Sequence, residues 1–399
     1  MKQILLKSLL VLGSIIAALV LGEVGLGLLG IEYPRFYEAD PNLGSRLRPG
    51  MEGYWLEEGG GYFRVNSEGL RDREHSLTPA PNTLRIAVLG DSFAEAKEVD
   101  REEAFWAIME KGLQGCGNLG RRQVEVINFG QSGFGTTQEL LALRHRVWKY
   151  SPDVVLVAFF TGNDVADNFQ AFRQWYLFPY FTYEDGELVL HDRHTRKGWE
   201  VFEESEKTLQ KVWWLRWKRW LADNSRVYQL IGHSQKRWAL WRDHMAQRGQ
   251  AAAVSEAPEP GLFSAVYREP DQEVWQEAWK ITEAALLTMR DEVEARGARF
   301  FVVVLSTGMQ VHPDPAARKK YADWIGSQDL LYPDRRLAAF CRREGMPILL
   351  LAPAFQKYAS EHQVFLHGFG DTKGGGHWNK TGHRLAGEMM AEWLCGQLN

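Results

Sequence analysis

Serine-based acyl transfer needs a hydroxyl, a base for its proton, a group that orients the base, and hydrogen-bond donors for the oxyanion of the tetrahedral intermediate. Ser92 is the candidate hydroxyl, in Gly90-Asp91-Ser92 directly after the apolar run Arg85-Ile86-Ala87-Val88-Leu89. Gly133, in Gly130-Gln131-Ser132-Gly133-Phe134-Gly135, offers an amide with no side chain to block it, and Asn163, in Thr161-Gly162-Asn163-Asp164, offers a carboxamide NH₂. His377, in Gly376-His377-Trp378-Asn379-Lys380-Thr381-Gly382-His383, is the candidate base. Singly, each has a plain structural explanation: a strand-to-turn junction, a tight glycine turn, an Asn helix cap and a surface His. His377 and His383 have no carboxylate or Cys at ligand spacing, so no metal is expected, and no cofactor motif is present.

These residues need elements that bring them together. Arg85–Leu89 is bounded by Pro81 and Gly90 and reads as a buried strand of a parallel sheet, which presents its chemistry beyond the strand carboxyl ends. An amphipathic helix is expected near Arg101–Leu113, opened by Asp100 with Glu103 three residues on, then a strand at Val124–Asn128. A helix from Thr136 or Thr137 through Trp148 and a strand at Asp153–Phe160 follow. Arg299–Leu305 and Pro347–Leu351 supply two more strands, with helices near Gln272–Ala295 and Pro333–Arg343 and a closing helix through Leu394. Alternating strands and helices predict an α/β fold, a doubly wound parallel sheet with crossover helices on both faces. Right-handed crossovers then put Ser92, Gly133 and Asn163 on one edge of that sheet.

In order, Gly90-Asp91-Ser92, Gly133, Gly162-Asn163-Asp164 and His377-Trp378-Asn379 resemble the four blocks of the SGNH (GDSL) hydrolase superfamily. The resemblance covers Leu84–Asp164 and Arg299–Leu394. It implies a flavodoxin-like three-layer body, Ser92 as nucleophile, His377 as general base and acid, and an oxyanion hole formed by the Ser92 amide, the Gly133 amide and the Asn163 side chain. One departure stands out. The family places an aspartate two or three residues before its His, where this chain has Gly374 and Gly375. Asp371 is the nearest carboxylate and is expected to fold back onto His377, with Asp329 and Asp334 as remote substitutes and a backbone-held dyad as the alternative. Asn379 reads as a local loop brace and His383 as part of the closing helix start.

The rest of the 399 residues sets the context. Ser8–Ile31 is nearly all aliphatic, interrupted by Ser14 and Glu23, and is long enough to cross a bilayer. Lys2 and Lys7 precede it while Glu32, Arg35, Glu38 and Asp40 follow, so residues 1–31 are expected to be an uncleaved anchor with the body outside the cytoplasm. No Cys lies near this segment, which excludes a lipoprotein anchor. Residues 32–82, rich in Gly, Pro and turn formers, read as a β-rich collar stabilised by docking and not by a core of its own. The body is expected at 83–164 and 271–399, interrupted by an inserted subdomain at 165–270 where the alternation lapses. That insert carries Trp199, Trp213, Trp214, Trp217, Trp220, Trp238 and Trp241, part of an unusual sixteen. Trp213, Trp217 and Trp220 share one helical face, expected to be buried against the domain; a place in the membrane interface is the alternative. Residues 246–261 look like a mobile linker. A net charge of −4 with interspersed basic residues gives no reason to expect nucleic acid. Cys116, Cys341 and Cys395 lack CxxC spacing, so neither a zinc site nor a disulfide framework is indicated, although one pair could oxidise.

The expected activity is that of a serine esterase removing O-acetyl or similar groups from an extracytoplasmic carbohydrate. The same Ser-His site could instead deliver the acyl group to envelope polysaccharide as an O-acyltransferase, and a catalytically inactive envelope-assembly or glycan-binding role is a third reading. Expected partners are the acylated carbohydrate, the membrane, and polysaccharide-assembly membrane proteins; no cofactor is expected.

Overall fold

The computed structural model describes residues 2–120, 122–172, 178–248 and 264–398. The first element, α1 (Lys2–Leu28), is exposed along most of its length and is long and apolar enough to cross a membrane. Two hairpins follow, β1 (Tyr37–Asp40) with β2 (Gly44–Leu47) and β3 (Glu52–Tyr54) with β4 (Tyr62–Arg64). Contrary to the sequence expectation, this collar has a small core of its own, Phe36, Leu47, Phe63 and Val65. Phe63 and Val65, two apart at the end of β4, share one face, and the Phe36 ring meets that of Phe63 edge-on at 4.5 Å.

The body begins with β5 (Thr83–Gly90), the short α2 (Ser92–Glu95), α3 (Phe105–Gln114), β6 (Gln123–Asn128), α4 (Thr136–Ala142), β7 (Val154–Phe160) and the short α5 (Asp164–Asp167). It resumes at α9 (Glu273–Glu294) after the insert, which contains the hairpin β8 (Tyr180–Glu184) and β9 (Glu187–His191), then α6 (Arg193–Lys211), α7 (Trp213–Asn224) and α8 (Arg226–Arg248). The chain closes with β10 (Arg299–Leu305), α10 (Pro315–Ile325), α11 (Tyr332–Arg343), β11 (Ile348–Leu350), α12 (Ala352–His362) and α13 (Lys380–Gln397).

Five strands form one parallel sheet in the order β6-β5-β7-β10-β11. That is the doubly wound order whose topological switch lies between β5 and β7, the place where such sheets open a crevice. The sheet is apolar on both faces, and β7, Val-Val-Leu-Val-Ala-Phe-Phe, is buried throughout. Ala87, Leu89, Val155, Val157, Val302 and Val304 pack under α4, α9 and α11. On the other face, Ile86, Val88, Leu156, Ala158, Phe301 and Val303 pack under α3, α12 and α13. A Cys116–Cys395 disulfide ties the end of α3 to α13, a pairing the Cys spacing did not indicate, while Cys341 is free and buried.

The insert departs most from expectation. The stripe expected to be buried is not: Trp213, Trp214, Trp217, Trp220, Trp238 and Trp241 are 51–76% exposed. The proposed linker at 246–261 lies outside the described residues from 249 onward, and α8 occupies its first positions.

Candidate active site

Two strand ends make the crevice. Gly90 pairs with Ala158 at the end of β5, and a Cβ at Gly90 would lie 2.7 Å from that of Ala94, so glycine lets the chain turn sharply into α2. Asp91 caps that turn, its Oδ1 accepting the Phe93 amide at 2.9 Å, and Ser92 becomes its first residue. The Asp91 carboxyl is buried, which pushes it up to about 7 despite the Phe93 amide and the nearby His377. Glu139 and Asp164, buried close behind it, are also held well above the ordinary carboxylate range by burial first, then Glu139 by the charge of Asp91 and Asp164 by those of Glu139 and Asp91.

His377 arrives from the far end of the chain. Its Nε2 is 2.8 Å from Ser92 Oγ, and its Nδ1 is 2.6 Å from Glu58 Oε2. Glu58 Oε1 also accepts the His377 backbone amide at 3.0 Å, so one carboxylate fixes both the ring and the chain that carries it. With Nδ1–H donating to Glu58, Nε2 is left to accept the Ser92 hydroxyl proton, the tautomer a general base requires. Burial opposes charge on the imidazole, but Glu98, Glu58 and Asp91 outweigh it and raise His377 to about 9. Glu98 itself, which burial would raise, is held low by the charge of His377 and by a 3.0 Å hydrogen bond from His383.

This geometry corrects the expectation for the acid. Both ring nitrogens of His377 are taken, and Asp371 lies exposed in the Gly370–Thr372 turn on the wall of a neighbouring cleft. The substitutes are engaged elsewhere: Asp329 with Arg335, and Asp334, buried, with Gln310. The aligned carboxylate comes from the collar, from the loop between β3 and β4. Two glycine runs allow it. A Cβ at Gly59 would sit 2.2 Å from the Glu98 carbonyl and one at Gly61 2.5 Å from Val99, so Gly59-Gly60-Gly61 lies directly on the body's backbone. On the other side, a Cβ at Gly376 would come within 2.5 Å of Glu58 Oε1, at a positive φ of 71°. The sequence signal was present in Glu57-Glu58-Gly59-Gly60-Gly61, a carboxylate beside a glycine run matching that before His377.

The loop under His377 is braced from below. His367 Nδ1–H donates to the Gly376 carbonyl at 2.9 Å and its Nε2 accepts from Ser306 at 3.1 Å, while burial drives its pKa down to about 3 and keeps it neutral. Gly368 N–H donates to the His377 carbonyl at 2.8 Å, and Asn379 caps α13 while its Nδ2 donates to the Phe365 carbonyl. His383 is buried in α13 against Glu98.

The oxyanion candidates sit around the crevice. Gly133, at φ +80°, follows β6; Asn163 follows β7 and donates Nδ2–H to Asp167 at 2.8 Å, leaving the second hydrogen of that NH₂ group for another acceptor. The collar reaches this side as well. Tyr37 donates to Glu95 Oε1 at 2.5 Å and accepts from Lys97 at 3.0 Å, and Glu95 Oε2 accepts the Ser132 amide next to Gly133.

No family model matches the chain, and no curated protein matches it. Solved structures do. The chain is similar to the acetyl xylan esterase AlAXEase at 12% identity over 78% of this chain and 98% of that one, with a TM-score of 0.35. It is similar to a GDSL-like lipase from Bacteroides thetaiotaomicron at 11% identity over 80% and 92%, TM-score 0.33. Similarity to the lipase/acylhydrolase from Enterococcus faecalis stands at 14% identity over 79% and 97%, TM-score 0.34. At such identities and scores the functional reading rests on the geometry of Ser92, His377 and Glu58.

Proposed function

We propose that the protein is a serine esterase of the SGNH type, held outside the cytoplasm by α1, that removes small O-acyl groups from a carbohydrate through an acyl-enzyme. The observation that carries this is the unbroken line Ser92 Oγ, His377 and Glu58, at 2.8 and 2.6 Å. Ser92 Oγ attacks the ester carbonyl as its proton passes to His377 Nε2. The oxyanion is received by the Ser92 and Gly133 amides and by Asn163 Nδ2. The carbonyl re-forms as the C–O bond to the sugar oxygen breaks, and His377 returns the proton to that oxygen. Water, deprotonated by His377, then releases the acyl group as a carboxylic acid and restores Ser92. Glu58 keeps the ring aligned and offsets its positive charge.

The surroundings favour a polar alcohol and a short acyl group. A cleft of about 910 Å³ borders the site at Glu58 and Gly376; its walls are mainly glycines and polar groups such as Glu57, His312 and Asp371, with Leu56, Met309 and Phe369 as the larger apolar contributions. Such an open cleft, with polar side chains and glycine backbone along its walls, has donors and acceptors for sugar hydroxyls. Export is supported by Lys2 and Lys7 in the first two turns of α1, by the acidic residues after it, and by the Cys116–Cys395 disulfide, which is at home in an oxidising compartment.

The test is labelling by a fluorophosphonate together with product analysis on an O-acetylated polysaccharide. The expected result is a label that disappears in Ser92→Ala and free acetate released only by the unaltered protein. Absence of labelling would end the enzymatic reading, and acetyl groups appearing on an added sugar acceptor would replace hydrolysis by transfer.

A further inference from the structure

The six exposed Trp of α7 and α8 form a surface that the proposed esterase chemistry does not use. In α7, Trp213, Trp217 and Trp220 recur at helical spacing with Trp214 beside them, and Trp217 and Trp220 stack at 5.0 Å. In α8, Ile231, Trp238 and Trp241 share a face and are also exposed, and Arg242 lies over the Trp238 ring. Scattered apolar residues on a surface are ordinary, but six large rings on two adjoining helices are not. The polar part of these helices is one-sided in charge. Along α7 and α8 the sequence has eight Lys and Arg against two acids, Asp243 and Asp223, the latter engaged by Arg35 and Arg48. Trp beside Lys and Arg is the composition favoured where hydrocarbon gives way to lipid headgroups.

The structure also fixes the depth. Glu23 of α1 caps the start of α8: its Oε2 accepts the Arg226 amide at 2.9 Å, and its Oε1 accepts the Val227 amide and the Ser225 hydroxyl. Gly22 faces Val227, where a Cβ would stand 3.0 Å from the Val227 side chain, and Glu32 lies 3.4 Å from Arg226. Twenty residues of helix separate Gln3 from Glu23, about 30 Å, which is the thickness of a bilayer's hydrocarbon core. The α7–α8 junction is therefore pinned to the last turns of α1, at the outer end of its apolar span.

We propose that the Trp-bearing face of α7 and α8 lies in the outer headgroup layer of the same bilayer that α1 crosses, making the insert a second, interfacial membrane attachment. The partner is a lipid surface carrying anionic headgroups, matched to the basic excess, and the proposal rests on α1 being a membrane span. Two attachments would restrain the height and tilt of the catalytic crevice, where a single helix would let it swing.

The test uses the full chain reconstituted in phosphatidylcholine/phosphatidylglycerol vesicles, with flotation to establish incorporation. The anchor contains no Trp, so Trp emission reports the body and insert alone. Lipids carrying a nitroxide at the headgroup are expected to quench that emission about twofold more strongly than lipids labelled at the chain terminus. The excess is expected to vanish when the six Trp are changed to Phe, a change that keeps the apolar face, with hydrolysis of an aryl acetate verifying that the variant is folded. Equal quenching of both proteins would overturn the proposal. Shielding of these Trp from iodide without nitroxide quenching would show that protein covers the face, and would also overturn it. Failure to float would remove the anchor reading itself, and with it the interfacial one.

Discussion

The collar and the insert are both additions to the same parallel sheet, and they use their side chains in opposite directions. The collar turns inward. It buries Phe36 and Phe63, extends Tyr37 to Glu95 behind the Gly133 turn, and places Glu58 on His377. The insert seats Phe181 of its hairpin in the core of the body, but its helices α7 and α8 turn outward, exposing six Trp and meeting the collar through Asp223 with Arg35 and Arg48, Gln229 with the Tyr33 amide, and His233 stacked on Tyr33 at 3.8 Å. The active site is thus not the property of the sheet alone. A segment lying between the anchor and the first sheet strand completes it.

The sharpest way to break this comparison is to remove the collar's contribution. Glu58→Gln should lower kcat on a simple aryl acetate by on the order of 10⁴-fold, because a carboxamide can donate to Nδ1 and stabilise the wrong tautomer of His377. Asp371→Asn should leave the rate near that of the unaltered protein. Equal losses from both, or a loss only from Asp371→Asn, would return the acid's role to the residue nearest His377 in sequence. Asn163→Ala removes a donor that belongs to the sheet and should cost roughly 10²–10³-fold in kcat with KM little changed. Since Asn163 is seated by its hydrogen bond to Asp167 of the body, Glu58→Gln should not alter the size of this loss.

The pH profile separates the two contributions more finely. The catalytic base must be neutral, and His377 sits at about 9, so kcat/KM for the free enzyme should climb about tenfold per pH unit from 7 and level off near 9. Glu58 is one of the charges holding that value up; in Glu58→Gln the rising limb should move toward the ordinary histidine range while the plateau falls. A limb that stays where it was, measured over the same pH range, would mean that Glu98 and Asp91 alone set the proton affinity and that Glu58 serves only to orient the ring.

Much of this was legible in the sequence, for identifiable reasons. Buried strands such as Val154–Phe160 are unbroken apolar runs, and Ser92, Gly133 and Asn163 lie just past strand ends that right-handed crossovers bring to one edge. His377 was found because it stands directly before the closing helix, in His377-Trp378-Asn379. Glu58 was missed because its pairing spans 319 positions and obeys no periodicity; only the close-approach requirement of Gly59, Gly61 and Gly376 encodes it. The Cys116–Cys395 pair, 279 residues apart, was hidden for the same reason. The Trp stripe of α7 was legible as a stripe but not in its direction, because an amphipathic helix has the same pattern whether its apolar face meets a core or a lipid surface.

The smallest predicted effect tests the seam between the two additions. Asp223 accepts from Arg48 at 2.9 Å and from Arg35 at 3.0 Å, and burial, which would raise its pKa, is outweighed by these two guanidinium groups, so the carboxyl is held below its ordinary value. A carboxylate depressed on folding adds stability that is complete above its unfolded pKa and is lost as pH falls through the folded one. Asp223→Asn should therefore lower thermal stability at neutral pH by about 1–2 kcal/mol, a value discounted for the partial exposure of all three groups, and the difference from the unaltered protein should shrink under acid conditions. Turnover of a small soluble ester should stay the same, because Glu58 is seated by Gly59, Gly61 and His377, while the insert's His233 reaches only as far as its neighbour Glu57, at 3.8 Å. A matching fall in kcat would show instead that the outward-facing module helps to hold the collar's carboxylate in place.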